Sequence, residues 1–144
     1  MEALTSDHAT GKLLRRYYDR RAESSIGLGE RFEIKTAIFG TSNFVTQNPI
    51  TGKWELQDIP MDADLADIIS PFATCELITN YAAGRITLRA VYPSSSAGDE
   101  DHAFTTLGIL DEAGLLVAVL ICKYMTLHKD LSFVVEAVIE TNLG

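Results

Sequence analysis

Residues that carry chemistry are scarce in this chain of 144 residues. Its two cysteines, Cys75 and Cys122, both lie in apolar, strand-like runs, where a free thiol packs as a small hydrophobe. That placement favours two buried thiols in a reducing compartment over a disulfide framework. His8, His102 and His128 are far apart, with neither the i, i+4 spacing nor the Cys-x-x-Cys company of a zinc site. No Gly-x-Ser-x-Gly turn positions a nucleophile. Gly27-Leu-Gly29 follows a helical pattern rather than a strand, the wrong context for a phosphate loop. Neither catalysis nor a cofactor or metal is expected.

Long apolar runs are missing too. The longest, Leu115 to Cys122, is too short to cross a bilayer, and the opening Met1-Glu-Ala-Leu-Thr-Ser-Asp-His8 lacks the apolar core of a signal peptide. A soluble chain made in the cytoplasm is expected. Positive charge is also in short supply: 12 Lys and Arg against 20 Asp and Glu give a formal net charge of −8. Such a surface disfavours nucleic acid and acidic membranes as partners. Half of the basic residues (Lys12, Arg15, Arg16, Arg20, Arg21 and Arg31) lie before residue 32, so a mildly cationic N-terminal segment precedes an anionic body.

What the chain does have is β-forming sequence. Thr5 to about Ser25 reads as a helix, capped by Thr5, Ser6 or Asp7 and ended by Gly27 and Gly29. Its apolar stripe is narrow (Leu13, Leu14, Tyr17 and Tyr18) and is flanked by arginines, which suits docking on the body or on a partner chain. Arg31 to Phe39 alternates as a half-buried strand, Thr41 to Gly52 is loop, and Lys53 to Gln57 is a short strand. Asp62 to Ser70 holds a helical turn or two, ended before Pro71. Ala73–Asn80 and Arg85–Tyr92 form a hairpin about Tyr81-Ala-Ala-Gly84.

Ala103 to Asn142 is the richest stretch. Three apolar runs separated by short polar turns read there as consecutive antiparallel strands. The middle run is apolar at every position from Leu115 to Ile121, so both of its faces are covered, by the rest of the fold or by another chain. About seven short strands and one helix predict a mainly β fold: an antiparallel β-sandwich or open barrel with an N-terminal α-helix. Residues 1–29 are then a docking helix and linker, and residues 30–144 the β-body. The candidate contact residues are Leu13, Arg16, Tyr17 and Arg20 on the helix, with Leu115, Val117, Val119 and Ile121 on the middle strand.

Three further groups deserve a chemical reading. Asp62, Asp64 and Asp67 have oxygen ligands for calcium, but the glycine and glutamate of a full calcium loop are missing, and capping of a short helix explains them better. Asp99, Glu100, Asp101 and His102 read as a solvated loop tip. Trp54 and Phe44 are the only aromatic pair suited to a carbohydrate platform, which makes a β-sandwich carbohydrate-binding module the alternative function.

Thr106-Leu-Gly-Ile-Leu-Asp-Glu-Ala-Gly-Leu-Leu-Val-Ala-Val119 resembles the glycine turn, Asp-x-x-Gly hairpin and apolar strand of phage tail-fibre N-terminal domains of the tail-collar type. Ile34-Lys-Thr-Ala-Ile-Phe-Gly40 is similar to that family's strand ending at glycine, and Ser132 to Asn142 to its closing strand. Thr106 stands where the family often has an acid, and Leu127-His-Lys129 lacks a proline often found after the lysine. The resemblance implies a non-enzymatic component of the virion tail, made in the host cytoplasm and usually trimeric. Such a domain anchors a fibre or receptor-binding protein to other tail or baseplate proteins. With Gly144 following directly on the domain, an adaptor or short fibre is expected rather than a complete receptor-binding fibre.

Overall fold

The computed structural model describes residues 3–6, 9–94 and 100–141. In chain order the elements are β1 (Ala3–Thr5), β2 (Thr10–Leu13), α1 (Arg15–Ser25), β3 (Ile34–Thr41), β4 (Val45–Gln47) and β5 (Trp54–Leu56). A 3-10 turn at Leu65–Asp67 precedes β6 (Ile69–Glu76), β7 (Ile78–Ala82), β8 (Arg85–Val91), β9 (His102–Asp111), β10 (Leu116–Leu127) and β11 (Val134–Glu140). Nine strands make one antiparallel sheet in the order β6-β3-β9-β10-β2-β1-β11-β8-β7, and β4 pairs with β5 in a small second sheet.

The two outermost strands of the large sheet are halves of one extended stretch. β6 pairs with β3 and β7 with β8, and only Leu77 separates them. The Leu77 N–H donates to the Lys35 carbonyl at 2.9 Å, and the Cys75 thiol reaches the backbone of Val91 at the end of β8. The sheet therefore curls until its edges nearly meet. Of the two architectures expected from sequence, the barrel is the one adopted. The expected single strand from Ala73 to Asn80 is two strands because its partner changes at Leu77. Ala83 and Gly84, both at positive φ (50° and 79°), supply the tight turn into β8.

The N-terminal stretch differs most from expectation. Thr5 and Thr10–Leu13 are not the start of a helix; they belong to β1 and β2, and the helix begins at Arg15 after an extended Leu14 with no side-chain cap. Gly11 and two threonines weaken a helix in this stretch, and the sheet offers a backbone ladder on both sides of it. β2 pairs with β10 and β1 with β11, so the hairpin lies between two strands expected to be neighbours. β9 and β10 do pair directly, as expected; β10 and β11 do not.

Two layers of core explain why the first half of β10, from Leu116 to Cys122, is apolar at every position. Val117, Ala118 and Leu120 pack into the barrel interior with Phe39, Leu107 and Ile109. Leu116, Val119 and Ile121 face outward, beneath Leu14, Val45, Ile59 and Ala63. A register shift between Leu116 and Ala118 lets the adjacent Val117 and Ala118 share the inner layer. Each such burial is worth about 1.5–3 kcal/mol before the entropy of ordering. One end of the barrel is filled by Phe39, whose ring lies 5.5–6.2 Å from those of Phe72, Tyr92 and Phe104.

Glycine allows β2 to fit. A Cβ on Gly11 would sit 2.6 Å from Leu120 and 2.9 Å from Leu4. The expected cost of Gly11→Val is about 1–3 kcal/mol, because those core side chains must move. Urea denaturation should show this as a lower midpoint of a single transition; an unchanged midpoint would mean that the N-terminal hairpin is peripheral.

Candidate protein-interaction site

The helix and the apolar middle strand, now β10, are the two features that the sequence marks for contact, and they meet on one side of the barrel. The Leu14 N–H donates to the Val117 carbonyl at 2.9 Å, and the Arg15 N–H to the Met61 carbonyl at 3.0 Å, which ties the start of α1 to the body. Tyr17 is buried, with its ring edge-on to Tyr18 and Phe32 at 5.4 and 5.8 Å. Positive φ at Gly27 (79°) and Gly29 (72°) ends the helix as expected.

Two of the four arginines of α1 meet acids of the same chain. Arg15 Nε lies 3.1 Å from Asp62. Arg20 reaches Glu23 and Glu112, each at 3.8 Å, and its guanidinium also donates to the carbonyls of Leu28 and Glu30. Exposed pairs of this kind add little stability, whereas the largely covered Arg20 fixes the chain's turn after the helix. The cationic helix thus docks on its own anionic body.

Of the eight candidate contact residues, Leu13, Tyr17, Val117, Val119 and Ile121 are each at most 4% exposed. Their apolar surface is covered within the chain by the barrel interior and the outer layer, so the need for a neighbouring subunit there lapses. Leu115, at 42%, and the exposed Arg16 remain at the surface, with Arg20 partly covered.

The Asp-x-x-Gly hairpin has a clear physical basis. Asp111 is 2% exposed, and its Oδ1 accepts from the Ala113 and Leu115 N–H groups, both at 2.9 Å. The Gly114 N–H donates to the Asp111 carbonyl at 3.1 Å, with Gly114 at φ 80°. Gly108 is required by closeness: a Cβ would lie 2.8 Å from Leu116 and 2.9 Å from Ile38. Thr106 is fully buried, its hydroxyl 2.7 Å from that of Ser42 and 3.0 Å from that of Thr105. A charged acid in that position would carry a large desolvation cost, which accounts for threonine.

The remaining candidates are engaged in local structure. The Asp64 carboxylate accepts from the Ala66 N–H and that of Asp67 from the Asp64 N–H, both at 2.9 Å, a reciprocal cap on the 3-10 turn. With Asp62 paired to Arg15, each of the three acids has a structural partner. Asp101 lies 3.0 Å from His128, and His102 stacks on Phe72 at 4.4 Å; His8 and Asp99 lie outside the described residues. Trp54 stacks on Tyr124 at 4.9 Å and 12°, and Phe44 packs against the outer core layer, so neither is a free platform. Nothing local in the sequence marks the Trp54–Tyr124 pair, whose members are brought together by β5 crossing β10. Among the described residues no helix is long and apolar enough to cross a membrane.

Residues 5–144 match the family model of bacteriophage P1 tail fiber protein R. Over 142 residues the chain is 33% identical to the Tail fiber protein R of Escherichia phage P1, covering 98% of each chain. The chain belongs to this phage tail-fibre family. The tail-fibre kinship expected from the Gly108–Gly114 region therefore holds. No solved structure matches the chain significantly. As a family member it offers two features for mutational tests: the Asp111 turn and the half-buried thiols.

Asp111→Ala should cost about 1–3 kcal/mol, since two amides lose their acceptor, and Asp111→Asn should recover part of that. Chemical denaturation of the three proteins checks both values. Burial also raises both thiols, Cys122 to about 11 from an ordinary value of 9.0, and it raises the Tyr92 phenol. The unfolded chain gives up these protons first, so the stability held by the neutral groups is complete below the unfolded values. It is lost as pH rises through the folded ones. The denaturation midpoint should fall from about pH 9 to 11, and less steeply in Cys122→Ala.

Proposed function

We infer that this chain is a structural, non-catalytic component of a phage tail, located in the virion and acting by protein–protein contact to attach or form a tail fibre. The observation that carries this reading is the match to the Tail fiber protein R of Escherichia phage P1 along 98% of both chains. A protein of this kind needs a rigid body with contact surfaces and no reacting centre. The nearly closed barrel, with its outer core layer over β10, supplies such a body. The partners are other tail or baseplate proteins and a fibre or receptor-binding protein, with the chain working as a homotrimer. Arg16, Arg20 and Leu115 are the contact residues of the original eight that a neighbour can reach.

The test pairs genetics with hydrodynamics. Purified particles should contain the chain, and particles assembled without it should lack fibres in electron micrographs and lose adsorption to host cells. Fibres unchanged in its absence would refute the reading. Analytical sedimentation of the isolated chain should give a trimer; a dilute monomer at physiological salt would remove the oligomeric part. Arg16→Glu together with Leu115→Asp should reduce incorporation into particles while leaving the denaturation midpoint within about 0.5 kcal/mol of wild type.

A further inference from the structure

We draw no further inference here: the strongest candidate, the outer edge of β7, where Ile78 and Tyr81 are exposed and β8 is the only paired neighbour among the described residues, carries none because nothing in the structure shows what covers it.

Discussion

The rest of the structure depends on the backbone ladder that the N-terminal hairpin makes with β10 on one side and β11 on the other. Without it the sheet would be two pieces: β6-β3-β9-β10 and β11-β8-β7, linked only where β6 runs into β7. With it the sheet closes and a single interior forms, holding Phe39, Leu120, Leu127 and Ile139 in one core. The contact is tight because position 11 is glycine, so Leu4 and Leu120 can approach the backbone of β2. Closure also removes most of the exposed edge that a sheet of this size would otherwise present to other chains.

A second layer grows from the first. β2 leads through Leu14 into α1, and that passage sets Leu14 over the outer face of β10 beside Val45 and Ile59. The small β4–β5 sheet covers the rest of the face, with Trp54 laid on Tyr124. The most apolar strand of the chain is thereby hidden on both sides. Its apolar character therefore bears on core formation first, and surface contact falls to what this packing leaves outside, such as Arg16 and Leu115.

The turn that carried the resemblance to tail-fibre domains is held by a few residues. The hairpin at Asp111 is held by its carboxylate on two backbone amides, and Gly108 lets Leu116 and Ile38 approach. These are constraints of geometry: each fixes how the backbone turns and how closely its neighbours pack. Thr106 shows the same logic in reverse: a position enclosed with the Ser42 and Thr105 hydroxyls accepts a neutral hydroxyl more readily than a charge.

The sequence by itself determined the mainly β class, the β9–β10 hairpin about Asp111, the β7–β8 hairpin about Gly84, the end of α1 at Gly27 and a cap at Asp62 or Asp64, of which the structure uses Asp64. Each of these is a local pattern, in which period, turn glycine and cap lie within a few residues of one another. Only the tertiary structure decided that Ala3–Thr5 and Thr10–Leu13 are strands, that they part β10 from β11, and that five of the eight candidate contact residues are interior. The physical reason is that an edge ladder joins residues more than a hundred positions apart, as Leu4 meets Ile139. No local preference in Ala3–Leu13 is strong enough to announce such a partner, and its pairing energy exists only once the barrel has brought both walls together.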